Sequence, residues 1–289
     1  MSFRATVACT RAQGEAVATG DDLLPSVVLV ADEPDPAKPD DWLIHAYFEH
    51  PPSNEELTEL AKLGRGQPQV EQLGEGDWVT MSQAGLQPIR AGRFTVHTPT
   101  HAPDPETISF EIDAGLAFGT GQHATTAGCL AALDKLERGG MRFDNIADIG
   151  TGTGLLAFAA LALWPEAKCI ATDVDPVAIA VARENAAING VGQGHGAGAL
   201  LLARADGMDS PMLAARAPFD LIIANILAGP LIELAPDFAA ALAPGGMVVL
   251  AGLLDTQVDG VATAYGAQGL RVSDRGIGEW PVVVCERPA

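Results

Sequence analysis

DIGTGTGLL, running from Asp148 to Leu156, sets three glycines two apart between two apolar runs. Gly150, Gly152 and Gly154 let a backbone pass close to a ligand and take positive φ where needed. The dinucleotide fingerprint G-x-G-x-x-G needs its third glycine three residues after its second. That place holds Leu155 here. The G-x-G-x-G pattern suits a nucleoside with no pyrophosphate to cradle, such as S-adenosylmethionine; a plain tight turn is the alternative.

Three further polar residues end apolar runs downstream. Asp173, in TDVDP, falls about where a ribose-binding acid follows the first glycine turn. Its carboxylate would accept from both ribose hydroxyls. Asp175 directly precedes Pro176 and reads as the helix N-cap instead. Asp206, in RADG, could accept from an adenine amine or simply make an Asp-Gly turn. Asn225 follows LIIA, at the carboxyl end of a buried run. Open α/β sheets bind ligands at that end of their strands. An amide there is costly to bury without partners, so Asn225 reads as a functional acceptor, with a satisfied core amide as the alternative.

The elements that must hold these residues alternate from Asn145 onward. NIADIG, KCIATDV, ALLLARAD, FDLIIANI and MVVLAGLL read as strands. Leu155–Leu163, 176–189, 230–241 and a stretch from Asp255 to Ala267 read as helices. This order predicts a mostly parallel sheet covered on both faces. LRVSDRG and WPVVVCER close the chain as a pair with no helix between them, which predicts one antiparallel edge. RFTVHTP and ISFEID add two strands ahead of this block. GEGDWVTMSQAGLQPIRAG before them reads as a connector whose Gly74, Gly76 and Gly85 permit motion or make ordinary turns.

The first part is a different unit. RATVAC, SVVLVA, DWLIHAYFE and QVEQL are strand-like; 11–24 and 55–63 are helical, the second capped at Ser53 and stopped at Gly64. Strand, helix, strand, strand, helix, strand is the order of a split-βαβ, ferredoxin-like α+β domain. The expected division is 1–76, a linker at 77–88, and 89–289.

Composition narrows the partners. The chain has 289 residues and is 48% apolar, enough for a packed core and a second small one. Its net charge is −20, and residues 1–80 hold 15 acidic against 5 basic residues. Sequence-specific or non-specific nucleic-acid binding is not expected, because phosphate contacts need Lys and Arg. The excess serves solubility or a docking face for a basic protein. Cys9, Cys129, Cys169 and Cys285 are scattered without CxxC spacing, which suggests neither zinc nor disulfides. MSFRATVACTRAQGE lacks an apolar signal core, and the run at 155–164 is far short of a membrane span. A cytoplasmic protein is expected.

GLAFGTGQHATT, DIGTGTG, DVDP and NILAGPL, in this order and spacing, resemble the bacterial ribosomal protein methyltransferases that modify stalk protein eleven of the large subunit. The shared motifs cover 112–254. The resemblance implies a class I methyltransferase domain with a Rossmann-like sheet, joined by a flexible linker to a substrate-recognition domain. It implies S-adenosylmethionine as cofactor. It also implies lysine side-chain amines and a terminal α-amine as targets, on a ribosomal partner met free or on the ribosome. Thr126, Gly150, Asp173 and Asn225 would contact the cofactor, with Gly152 and Asp206 beside it. Phe118 and Gly119 would wall the site, and His123 and Thr125 lie close. The family often has Pro after the histidine; Ala124 stands here, which loosens that turn. His123 reads as a helix-start hydrogen bond at least as readily as a base.

The expected reaction needs a neutral amine behind an already activated methyl group, and no metal. A free Lys has a pKa of ~10.4, so the site must help to shed a proton. Asn225 would orient the amine through its carbonyl oxygen. The rivals are a methyltransferase of another protein or a small-molecule amine, an NAD-dependent oxidoreductase, and a non-catalytic nucleoside-binding protein.

Overall fold

The computed structural model describes residues 2–19, 27–32, 40–48, 50–73, 88–112 and 124–289. Contacts group the chain into two units, Met1–Ser82 and Gln83–Ala289. The connector's Gly74, Gly76 and Gly85, and the expected linker up to position 87, lie outside the described residues.

In the first unit, β1 (Ser2–Cys9), α1 (Arg11–Thr19), β2 (Val28–Asp32), β3 (Trp42–Phe48), α2 (Asn54–Leu63) and β4 (Arg65–Leu73) follow in order. The sheet order is β2-β3-β1-β4, and all neighbours are antiparallel. This is the split-βαβ arrangement that the order of elements predicts. Alternate residues of β1 and β3, namely Ala5, Val7, Ile44 and Ala46, share a core with Leu60 of α2 and Val17 of α1. A reciprocal capping box starts α2: Ser53 Oγ accepts from Glu56 N, and the Glu56 carboxylate accepts from Ser53 N.

Two details depart from expectation. Gly64 is extended, with φ −126°, and is no left-handed stop. A Cβ there would lie 2.6 Å from Ala8 O and 2.8 Å from the Val7 methyls, so Gly64 lets the chain brush past β1. Strand β4 starts at Arg65, four residues before QVEQL. It carries Pro68, which a sheet tolerates because β4 is an edge strand.

The second unit opens with a three-stranded sheet. Strands β5 (Ile89–Ala91) and β6 (Phe94–His97) form a hairpin, and β7 (Ile108–Glu111) pairs with β6 in parallel. The end of the expected connector is thus strand β5, turned into β6 through Gly92 at φ +59°. Helix α3 (Ala124–Arg138) follows.

Then come β8 (Asn145–Ile149), α4 (Leu155–Leu163), β9 (Lys168–Asp173), α5 (Pro176–Ile188), β10 (Leu200–Arg204), α6 (Pro211–Arg216), β11 (Phe219–Asn225), α7 (Ala228–Glu233), α8 (Ala235–Ala241), β12 (Leu242–Ala251), α9 (Val258–Ala267), β13 (Arg271–Asp274) and β14 (Val283–Glu286). The sheet order is β10-β9-β8-β11-β12-β14-β13. Strands β8 to β12 run parallel, and β14 is antiparallel to both β12 and β13. The closing pair β13 and β14 thus forms the antiparallel edge that the sequence suggested. The last strand inserts between β12 and β13, and β13 takes the edge.

Residues of β11 alternate between two cores. Leu221 and Ile223 face one, and Ile222 and Ala224 the other. Burial on both faces explains the unbroken apolar run. The helix expected over 230–241 is two helices that meet at Leu234. Pro236 has no N–H and would break a continuous helix. A restart at Ala235 puts it in a first turn, where it is tolerated. No helix among the described residues is long and apolar enough to cross a membrane.

Candidate functional site

The carboxyl ends of β8, β9, β10 and β11 border a cleft of about 950 Å³. Thr126, Gly150, Gly152, Asp173, Asp206 and Asn225 all line it, as does Thr125. Phe118, Gly119 and His123 lie outside the described residues.

The floor is the turn after β8. Gly150 N and Thr151 N both donate to Thr172 O, at 2.8 and 2.9 Å, which pins the turn to the end of β9. Gly150, Gly152 and Gly154 have φ of +74°, +55° and +88°. A Cβ on Gly150 would lie 2.4 Å from Ile226 Cγ2, and one on Gly154 would lie 2.5 Å from the Phe158 ring. Backbone angle and crowding both demand glycine here.

Asp173 ends β9 and is tied at both oxygens. Oδ2 accepts from Gly152 N at 2.9 Å, and Oδ1 accepts from Asp175 N at 3.0 Å. A carboxylate has about four acceptor sites, so each oxygen keeps capacity for a hydroxyl donor. Asp175 is the cap of α5, accepting from Val177 N at 2.8 Å. At Asp206 the Asp-Gly turn exists: Asp209 N donates to Asp206 O, and Gly207 has φ +53°. The turn leaves Asp206 on the cleft wall.

Asn225 is the last residue of β11. Its Nδ2 donates to Thr126 Oγ1 at 3.1 Å. Thr126 sits in the first turn of α3, 1% exposed. That bond fixes which way the amide points. Asn225 Oδ1 is left buried with no hydrogen-bond partner among the described residues. Such an orphan costs about 1–3 kcal/mol and marks an acceptor waiting for a donor.

Asp148 lies beneath the glycine turn on β8 and is 1% exposed. Thr151 Oγ1 donates to its Oδ2 at 2.6 Å, and its Oδ1 has no hydrogen-bond partner among the described residues. Burial pushes its pKa up to about 7; the Thr151 hydroxyl and the Ala157 N–H pull it back, and Asp173 adds to the rise. The sequence showed Asp148 only as the first letter of the glycine motif. Trp280 also lines the cleft. Read from sequence it was merely the start of a strand, yet GIGEWP, an aromatic between glycines and a proline, is the signal of a shaped loop.

Glu233 and Asp237 join Asp173 and Asp206 on the wall, and no Lys or Arg is among the described residues that line it. A cleft of one sign of charge favours a cation and opposes a pyrophosphate.

The sequence model of the ribosomal protein L11 methyltransferase (PrmA) family matches residues 6–288. Ribosomal protein L11 methyltransferase of Brucella suis is 49% identical over 213 residues, which is 73% of this chain and 72% of its own length. That of Rhizobium etli is 48% identical over 204 residues, 70% of this chain and 67% of its own. The crystal structure of ribosomal protein L11 methylase from Lactobacillus delbrueckii subsp. bulgaricus superposes with a TM-score of 0.61 at 26% identity. It covers 71% of this chain and all of the other.

Proposed function

The chain belongs to the ribosomal protein L11 methyltransferase family, and from that premise we propose that it transfers methyl groups from S-adenosylmethionine to amines of ribosomal protein L11. The targets are lysine ε-amines and the terminal α-amine, met on the free protein or on the ribosome in the cytoplasm. The observation that carries the reading is the buried Oδ1 of Asn225, unpartnered among the described residues, on a residue that lines an acidic cleft floored by glycines.

The residues present fit the cofactor. Gly150 and Gly152 let its backbone-facing atoms approach, and the two free acceptor positions of Asp173 suit a ribose diol. Asp206 stands where the base would end, and the acidic lining favours a sulfonium. When bound, S-adenosylmethionine supplies a methyl carbon that its positive sulfur has already made electrophilic. Phe118 and Gly119 complete the wall in this reading.

The chain supplies the rest. Thr126 holds the Asn225 amide by accepting from Nδ2, which leaves Oδ1 as the free acceptor. Oδ1 accepts one N–H of the incoming amine and so fixes its orientation. Ordering two reactants in this way contributes up to ~7–11 kcal/mol to lowering a barrier. The amine must arrive neutral. Removal from water favours the neutral form, and an uncharged amide acceptor, unlike a carboxylate, adds no pull toward the ammonium.

Asp173→Ala should raise the dissociation constant for S-adenosylhomocysteine by about 10- to 100-fold, the loss of one to two charge-assisted hydrogen bonds. Isothermal titration calorimetry measures this. An unchanged constant would remove Asp173 from the cofactor site.

The function itself is tested by mass spectrometry of L11 incubated with the chain and labelled S-adenosylmethionine. One or more labelled methyl groups per amine are expected on lysines and the amino terminus. L11 left unmodified, with cofactor bound, would sink the substrate assignment. Residues 1–76 are the recognition domain in this reading. Omitting them should abolish transfer to L11 and spare cofactor binding; loss of both would make the first unit a support of the fold.

A further inference from the structure

A second cavity lies in the catalytic unit, about 420 Å³, between the outer side of α3 and the loop at 275–282 that joins β13 to β14. Small residues of α3, Gly128, Ala131 and Ala132, form one wall, and Pro281 and Val282 form the other. A Cβ on Gly128 would lie 2.7 Å from Val282 Cγ2, so the glycine sets how closely the walls meet. At the rim, Lys135 Nζ pairs with Asp274 Oδ2 at 2.7 Å, which cancels both charges. The groove is apolar and nearly neutral in a chain of net charge −20.

The loop presents an apolar side chain to water. Ile277 is 97% exposed, between Gly276 and Gly278, both at positive φ. The loop is held at both ends: Gly276 N donates to Asp274 Oδ1, Asp255 N donates to Glu279 O, and Arg275 pairs with Asp259. An isoleucine on a pinned loop is displayed ready-made, which lowers the ordering cost of binding. Trp280 of the same loop lines both the groove and the cofactor cleft. One side chain is therefore a wall shared by the two.

Resting on the reading that the substrate is a protein, we propose that this groove and Ile277 dock the target protein, taking an uncharged apolar side chain a few residues from the amine being methylated. Continuity through Trp280 supports this occupant. An extended peptide advances ~3.3 Å per residue, so neighbours of an amine in the cleft reach across a single indole. The neutral rim selects an apolar side chain rather than another lysine. The acidic cleft next door attracts the basic side chain, which must shed its proton before it reacts.

The test uses the full chain with Ile277→Asp, Ala131→Trp and, as the conservative control, Ile277→Val. Ile277 and Ala131 are both exposed, so folding should survive, and binding of S-adenosylhomocysteine should not move. The two disruptive variants should raise the KM for L11, and its dissociation constant measured without cofactor, by about tenfold, the effect of one good apolar contact. The kcat should stay within about twofold, and Ile277→Val should behave as wild type. Unchanged KM and dissociation constant in both variants would overturn the proposal. So would light scattering that shows a wild-type dimer split by the variants with KM unchanged, which would assign the groove to a second copy. Wild-type chain that leaves L11 unmethylated would instead overturn the substrate assignment on which the proposal stands.

Discussion

Asn225→Ala should lower kcat for transfer to L11 by about 10²–10³-fold, while the dissociation constant for S-adenosylhomocysteine moves less than tenfold. Removing one preorganised hydrogen-bonding group aimed at a reacting centre costs about 2.7–4 kcal/mol. Asn225 qualifies because its Oδ1 is buried, unpartnered and held in place through Thr126. Thr126→Val gives the control. The valine cannot accept from Nδ2, so the amide loses its anchor but keeps its oxygen. The expected loss is smaller, about tenfold, and it should appear in kcat more than in cofactor affinity. Asn225→Asp should also be poor, because a carboxylate would stabilise the ammonium that must lose its proton. Steady-state kinetics with L11 at saturating cofactor decide the matter. Full turnover by Asn225→Ala would take the residue out of the mechanism and leave the orphaned oxygen without a role.

The site was readable where a single residue type had one physical use. Glycines at alternate positions after a strand imply a close backbone approach, and each proves to need positive φ. Asp175 before Pro176 implied a cap, and it caps. What escaped depended on residues far apart in the chain. The Asn225–Thr126 bond spans 99 positions, so the sequence could name both ends but not the partner or the free oxygen. Trp280 lines the cleft from the loop that leads into β14, which inserts between β12 and β13. A closing pair of strands does not by itself reveal which takes the inner place. The single helix read over 230–241 is broken at Leu234 because Pro236 needs a first-turn position, and the strand read as QVEQL begins four residues earlier because an edge tolerates Pro68.

Asp148→Asn should make the protein more stable at pH 8, by on the order of 2–4 kcal/mol, and leave it unchanged near pH 4. The carboxyl is buried, and its pKa rises from 3.8 to about 7 in the folded chain. Between those values the folded state holds a proton that the unfolded state has released. Stability from this group is therefore greatest below pH 4, falls as pH rises toward 7, and is level above. At 1.36 kcal/mol per pH unit the full swing is about 4 kcal/mol. An asparagine has the same shape and no proton to lose. Its oxygen can take the Ala157 N–H, and its amino group can donate to the Thr151 hydroxyl, which rotates to accept. Urea titrations of both proteins from pH 4 to 9 should show a gap that opens between pH 4 and 7 and then stays constant. A gap independent of pH would mean that Asp148 ionises normally despite its burial. A buried acid that weakens the fold at neutral pH still adds negative potential under a cleft whose ligand is a cation, which is the kind of local conflict expected at a functional site.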